Sequence, residues 1–66
     1  MKKSISSDEV IRILKLDGWY LDRIVGDHRQ FRHHQKKGRV TVKHPCKDYC
    51  IKTIKSMEKQ SGLKFE

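Results

Sequence analysis

The chain has 66 residues, 35% of them hydrophobic and 8% aromatic, which is enough for one small domain over residues 1–66 with a thin core. Sixteen Lys and Arg against eight Asp and Glu leave a formal charge of +8. No apolar segment approaches the ~20 residues that cross a bilayer, and none follows the basic N-terminus as it would in a signal peptide. We therefore expect a cytoplasmic protein with no membrane partner.

The basic residues are concentrated in the middle of the chain, where no acidic residue occurs between Arg29 and Lys47. A continuous basic surface raises the local concentration of polyanions and releases counterions from phosphates. Nucleic acid is therefore the partner that we expect first, and an acidic protein is compatible with the same surface.

The first predicted element is a helix over about residues 7–17. A capping box and a hydrophobic staple mark its start, formed by Ser6 with Glu9 and by Ile5 with Val10. Its apolar stripe has helical spacing and comprises Val10, Ile11, Ile13 and Leu14. Gly18 suits the left-handed conformation that follows a helix C-terminus, so the helix is expected to end just before it.

Three strands are predicted next, over residues 19–25, 28–34 and 39–43. The first two are joined by Gly26-Asp27, a two-residue turn with glycine at its first central position. The second hairpin loop is predicted over residues 35–38. The pattern therefore indicates an antiparallel sheet of three strands.

Successive side chains of a strand point to opposite faces, so Phe31, Val40 and Val42 are expected to point into the core. The other face is left polar and basic, with His28, Gln30, Arg32, Arg39, Thr41 and Lys43. Trp19 is expected in the core, whereas Tyr20 points the other way and is a candidate for stacking on a base.

A last helix is predicted to begin between Asp48 and Thr53, either of which could be its N-cap, and to run to about residue 60, with Gly62 as its stop. Its buried stripe is predicted to comprise Ile51, Ile54 and Met57. The order predicts an α+β fold, α-β-β-β-α, in which two helices cover one face of the sheet. Double-stranded-RNA-binding domains have the same arrangement.

The histidines leave three functions open, of which the first is a metal site. Its possible ligands are His28, His33, His34, His44, Cys46 and Cys50. Structural zinc usually requires two close ligand pairs, whereas His33 and His34 are adjacent on a strand and point to opposite faces. Zinc is therefore disfavoured, and in the cytoplasm the two cysteines are expected to be free thiols.

The other two functions concern RNA. A non-catalytic RNA-binding domain would recognise RNA by its shape and phosphates, and such domains typically carry a lysine cluster at the start of the last helix. Here the lysines of that helix are spread along it, at Lys52, Lys55 and Lys59. They are either a weak counterpart of the cluster or simply the solvated face of the helix. A nuclease would use His28 as a general base, because an imidazole with an unperturbed pKa of about 6.5 can accept the proton of a 2′-hydroxyl at neutral pH. Cations that could stabilise the transition state are Arg32, Arg39 and Lys43.

Three segments resemble one known family, the HicA toxins. GWYLDRIVGDHRQFRH, from Gly18 to His33, is similar to the family pattern GW-x-x-x-R-x-x-GSH-x-x-F-x-H. RVTVKHPCKD is similar to V-T-V-P-H-P-x-K-D, and KTIKSMEKQSGL to G-T-L-R-x-I-x-K-Q-A-G-L. The segments occur in the family's order and spacing, so the resemblance extends from Gly18 to Leu63.

The resemblance implies a fold like that of double-stranded-RNA-binding domains and an endoribonuclease that cleaves mRNA without a metal or other cofactor. It implies that His28 is the catalytic histidine, because it follows the position of the family's Gly-Ser pair. It also implies a HicB-type antitoxin that covers the site and through which operator DNA is contacted indirectly. Our predicted RNA contacts are Arg23, Arg29, Gln30, Arg32, Arg39 and Lys43.

Two departures from the family pattern concern the site. Asp27 replaces serine directly before His28, where a carboxylate either orients the imidazole or repels RNA phosphate and lowers activity. Lys43 replaces a proline and adds positive charge to the third strand.

The remaining histidines have weaker assignments. His44 is either a second acid/base group that protonates the 5′-oxygen or a residue that shapes the turn before the last helix, and we prefer the second role. His33 and His34 are expected to be surface or RNA-facing residues.

Overall fold

The computed structural model describes residues 5–65, in which the elements occur in the order helix, three strands, helix. The helices are α1 (Ser7–Leu16) and α2 (Ile51–Ser61). The strands are β1 (Tyr20–Val25), β2 (His28–Arg32) and β3 (Val40–Lys43). They form one antiparallel sheet in the order β1-β2-β3, which confirms the predicted α+β fold. Within residues 5–65, no helix is both long and apolar enough to span a bilayer.

Helix α1 begins as the sequence predicts. The Ser6 hydroxyl accepts the backbone N–H of Glu9 at 3.4 Å, which satisfies one of the amides that the first turn of a helix leaves without a partner. Ile5 and Val10, the two staple residues, are both buried. The helix ends at Leu16, one residue before the predicted end.

Helix α2 begins at Ile51, within the predicted range between Asp48 and Thr53, but with a different N-cap. Its N-cap is Cys50, so the prediction of Asp48 or Thr53 was wrong. Ile51 is 41% exposed and was wrongly placed in the buried stripe, whereas Ile54 and Met57 are buried as predicted. The helix stops at Gly62, as predicted, in the left-handed conformation.

The path of the loop before α2 follows from how Tyr49 anchors it. Tyr49 is buried, its hydroxyl donates to the Lys43 carbonyl oxygen at 2.6 Å, and its backbone N–H donates to the Ile5 carbonyl oxygen at 3.4 Å. These bonds hold the loop in a non-helical path beside β3. Tyr49 thus fills the core position that the pattern assigns to Ile51.

The first hairpin has the predicted turn. Val25 pairs with His28 across Gly26-Asp27, and Gly26 has a φ of +59°, a conformation that only glycine adopts at little cost. β1 also contains a β-bulge between Leu21 and Arg23, which the sequence does not predict.

Strand β2 ends at Arg32 rather than at residue 34 because His33 turns towards α1. The His33 Nδ1 accepts the backbone N–H of Gln35 at 3.0 Å, so its Nε2–H donates to the Asp17 carbonyl oxygen at 2.7 Å. The ring also packs edge-on against Trp19, with centroids 5.2 Å apart. The prediction that His33 is a surface residue was therefore wrong.

The Asp17 side chain reinforces this joint between α1 and the second hairpin. Its Oδ2 accepts the Trp19 Nε1–H at 3.1 Å and the Lys36 ammonium at 2.6 Å. The hydrogen bond from Lys36 is the main cause that lowers the pKa of Asp17. Trp19, as predicted, is buried.

The core lies between the helices and the sheet, and both helices contact β3. Its buried apolar side chains are Ile5, Val10, Leu14, Trp19, Phe31, Val40, Val42, Tyr49, Ile54, Met57 and Phe65. All six residues of β1 are exposed. β1 is therefore an edge strand that is open on both faces.

Candidate nucleic-acid interface and histidine site

One face of the sheet carries no helix, and we call it the open face. Direct partners in antiparallel strands share a face, and the buried Phe31, Val40 and Val42 mark the helix side. Leu21, Ile24 and Arg29 share the helix side through their partners. The other side chains of the register form the open face: Tyr20, Arg23, Val25, His28, Gln30, Arg32, Thr41 and Lys43.

The structure brings most of the predicted RNA contacts onto this face. Arg39 directly precedes β3, and its guanidinium donates to Gln30 Oε1 at 2.6 Å, so it reaches the open face as well. Arg29 does not, because it is the partner of Val42 and is partly buried on the helix side. The predicted contacts that share the open face are thus Arg23, Gln30, Arg32, Arg39 and Lys43.

His28 is the first residue of β2 and stands at the turn end of the open face. Its Nδ1 lies 2.8 Å from Asp27 Oδ1. The carboxylate accepts the Nδ1–H, which leaves Nε2 of a neutral ring as the hydrogen-bond acceptor. The side chain is 52% exposed, so Nε2 can be reached by a large ligand.

The closest cation in the register is Lys43. It is the direct partner of His28 in β3, and directly opposed side chains in a sheet have their Cβ atoms about 5 Å apart. The same position holds proline in the family pattern. The substitution therefore places an ammonium beside the histidine.

His44 lies on the helix side, next to His28 in space but turned away from the open face. Its backbone N–H donates to the Asp27 carbonyl oxygen at 2.8 Å, and its Nδ1 lies 2.7 Å from the Ser7 hydroxyl. That hydroxyl also accepts the backbone N–H of Cys46 at 3.0 Å. Ser7 and Cys46 are further joined by the Ser7 N–H, which donates to the Cys46 carbonyl oxygen at 2.7 Å.

An aromatic pair occupies the opposite end of the open face. Tyr20 and His34 stack with ring centroids 4.8 Å apart and an interplanar angle of 27°. Both side chains are exposed, and Tyr20 is the direct partner of Arg32. The sequence signals Tyr20 as a possible stacking residue, but it gives no sign that His34 joins it.

In the part of the chain that the structure describes, no group of three or more His, Cys, Asp or Glu side chains could hold a metal ion. Cys46 and Cys50 are free thiols, as predicted. A hydrogen bond between the Cys50 thiol and the Thr53 hydroxyl lowers the pKa of Cys50.

Fold and site together define a small α+β domain of the double-stranded-RNA-binding-domain type with a basic, histidine-bearing sheet face. A family described as the HicA toxin of bacterial toxin-antitoxin pairs matches residues 7–63. The chain belongs to the HicA toxin family, which confirms the resemblance seen in the sequence and gives it a cognate antitoxin as partner. No curated protein matches the chain.

Proposed function

We propose that this toxin is a metal-independent endoribonuclease that cleaves mRNA, with His28 as its general base. The observation that supports it is the 2.8 Å contact between Asp27 Oδ1 and His28 Nδ1, which leaves Nε2 of an exposed ring as the hydrogen-bond acceptor on a basic sheet face. A base must lie within hydrogen-bonding reach of the proton that it removes, and an open sheet face allows a single-stranded RNA to approach that closely.

The reaction needs only groups that the RNA and the open face supply. His28 Nε2 takes the proton of a 2′-hydroxyl, and the 2′-oxygen attacks the adjacent phosphorus. The bond from phosphorus to the 5′-oxygen breaks, and that oxygen takes a proton from water or from the imidazolium formed in the first step. The products are a 2′,3′-cyclic phosphate and a 5′-hydroxyl end.

The cations of the open face have two roles in this proposal. Lys43, as the direct partner of His28, stabilises the charge that develops on the phosphoryl oxygens. Arg23, Arg32 and Arg39 bind phosphates further along the strand and fix its position. Gln30, whose amide oxygen holds Arg39, keeps that guanidinium over the sheet.

We assign His44 to the turn rather than to the chemistry. Its Nδ1 is engaged with the Ser7 hydroxyl on the helix side, whereas the scissile phosphate would lie on the open face. His44 therefore acts through the position of β3 and Lys43.

A HicB-type antitoxin is proposed to neutralise the toxin by covering the open face. The face is strongly basic, so an acidic antitoxin surface would associate rapidly and exclude RNA from the same cations. Operator DNA is then contacted through the antitoxin.

The test is cleavage of an end-labelled mRNA in EDTA by the wild type, by His28→Ala and by Val25→Ala. Val25 is the matched control, because it is the partner of His28 in β1 and lies exposed on the same face. We expect wild type and Val25→Ala to yield 2′,3′-cyclic phosphate ends, and His28→Ala to lose at least about a hundredfold in rate. Circular dichroism and RNA binding report that each variant is folded.

Equal cleavage by His28→Ala would move the active site elsewhere, and dependence on added metal would refute the mechanism. If the wild type and both variants are folded and bind RNA but none of them cleaves it, the result would instead support the alternative of a non-catalytic RNA-binding module.

A further inference from the structure

The Tyr20–His34 pair is not explained by the core or by the proposed chemistry. Its rings lie 4.8 Å apart on the open face, away from the helices, and Tyr20 is 40% exposed. Elsewhere in residues 5–65, the large aromatic side chains Trp19, Phe31, Tyr49 and Phe65 are all buried. The pair therefore exposes aromatic surface on the face that carries the phosphate-binding cations.

We propose that Tyr20 and His34 form a stacking platform for one nucleobase of the bound RNA. The proposal rests on the function given above, because the ligand is the same single-stranded RNA, and it adds a base-binding subsite to a face so far described by its charges. Stacking accepts any base, since every base has a π-face, and it favours those with the larger ring system.

The position of Arg32 supports this assignment. It is the direct partner of Tyr20 and its side chain is exposed on the open face. A nucleotide whose base stacks on the platform thus has a guanidinium beside it for its phosphate. Alternating cations and aromatic rings are the usual composition of single-strand binding surfaces.

The platform also has a defined distance from the histidine. His28 and Arg32 are the two ends of β2, and four residues of an extended strand span about 13 Å. The stacked base therefore belongs to a nucleotide a few positions from the cleaved bond rather than to the reacting nucleotide itself. This gives the RNA a fixed register relative to His28.

The test measures binding in a His28→Ala background, so that the result does not depend on cleavage. The probes are short oligoribonucleotides in which a single 2-aminopurine is moved along the chain, because its fluorescence is quenched by stacking. In this background we compare intact Tyr20 with Tyr20→Leu, which removes the ring, and Tyr20→Phe, which keeps it. Leu21→Ala is the matched control, because Leu21 is also 40% exposed but lies on the helix side of β1.

We expect quenching at one position of the oligonucleotide, its loss in Tyr20→Leu, and an affinity about tenfold weaker, which corresponds to ~1.4 kcal/mol. Tyr20→Phe should restore both signals, and Leu21→Ala should change neither. An abasic nucleotide at the quenched position should weaken binding of the protein with Tyr20 but not of the Tyr20→Leu protein.

Equal affinity and equal quenching in Tyr20→Leu and Tyr20→Phe would overturn the platform while RNA binding by the open face stands. A platform that binds as expected, in a protein whose wild type cuts no RNA, would support this inference and refute the nuclease. Absence of RNA binding by the folded protein at low salt would overturn both.

Discussion

Asp27 and His28 are adjacent residues whose side chains meet because the turn places them at the start of a strand. The carboxylate fixes the ring with its proton on Nδ1, so that Nε2 is the basic nitrogen. In the family pattern serine precedes the histidine, and a hydroxyl can donate as well as accept. Aspartate, which when ionised only accepts, is the stricter device for selecting this tautomer.

Replacing Asp27 by Ala distinguishes the two roles of this carboxylate, which are orientation of the His28 imidazole and repulsion of RNA phosphates. We expect kcat to fall about tenfold as the tautomer is released, while KM falls or stays unchanged because a negative charge is lost near the phosphates. The ¹⁵N chemical shifts of His28 should show less of the Nδ1-protonated form. Asp22→Ala is the matched control, since it removes an exposed carboxylate from the same hairpin. A higher kcat in Asp27→Ala would mean that the carboxylate acts mainly by repulsion.

The contacts of the two adjacent histidines, His33 and His34, are not predicted by the sequence. The sequence places His33 and His34 on β2 with side chains on opposite faces, whereas the strand ends at Arg32 and each histidine is held by its own contact. His33 contacts the end of α1 and His34 contacts Tyr20. Both contacts join segments far apart in the chain, and no local pattern encodes them.

At the scale of whole elements, the loop before α2 determines where β3 ends and where the helix starts. Tyr49 links the two through its bond to the Lys43 carbonyl oxygen. Burial raises the pKa of Tyr49 to about 12, because the charged phenolate is disfavoured away from water. The pKa of Tyr49 in the folded state thus lies above the ordinary value of 10.0.

This shift predicts an alkaline limit to stability. A raised pKa in the folded state contributes stability below pH 10 that is lost as the pH rises towards 12. Tyr49→Phe should lower the free energy of unfolding by about 1 kcal/mol at neutral pH, because the hydrogen bond to Lys43 is lost. Between pH 10 and 12, the free energy of unfolding of Tyr49→Phe should decline less than that of the wild type. Urea unfolding followed by Trp19 fluorescence measures both, with Tyr20→Phe as the control for an exposed hydroxyl. Parallel declines in wild type and Tyr49→Phe would contradict the assignment.

The sequence predicts the elements well and their packing less well. The Ser6 N-cap, the Gly26-Asp27 turn and the Gly62 stop are local signals, and the structure confirms all three. The exposure of β1 and of Ile51 is set by how the helices pack on the sheet and how Tyr49 is anchored. The periodicity of apolar residues cannot predict such tertiary packing, which is why Ile51 was wrongly assigned to the core.

For the molecule as a whole, the fold separates its functions by face. The helix side of the sheet holds the core, and the open face holds the proposed base and most of the proposed RNA contacts. The sequence predicts this division correctly for β2 and β3 because their alternation is regular. Alternation also places Arg29 on the Phe31 face, as the register does, so its charge alone was the reason to predict it as an RNA contact.

The division predicts which lysines contribute to the salt dependence of RNA binding. In a His28→Ala background, Lys43→Gln should reduce the slope of log K against log salt by roughly 0.7, the value for one phosphate contact on single-stranded nucleic acid. Lys15→Gln, the same charge change on an exposed position of α1, should leave the slope unchanged. Equal slopes for the two variants would show that only net charge matters and not the open face.

The bonds between Ser7 and Cys46 also bear on when the toxin becomes active during its synthesis. They join residues 39 apart in the chain, and they tie the start of α1 to the segment beyond β3. A chain emerging from the ribosome has its N-terminus first, so α1 lacks these partners until Cys46 has left the exit tunnel. We therefore expect the toxin to reach its folded, active form only late in its synthesis, after all three strands have been made.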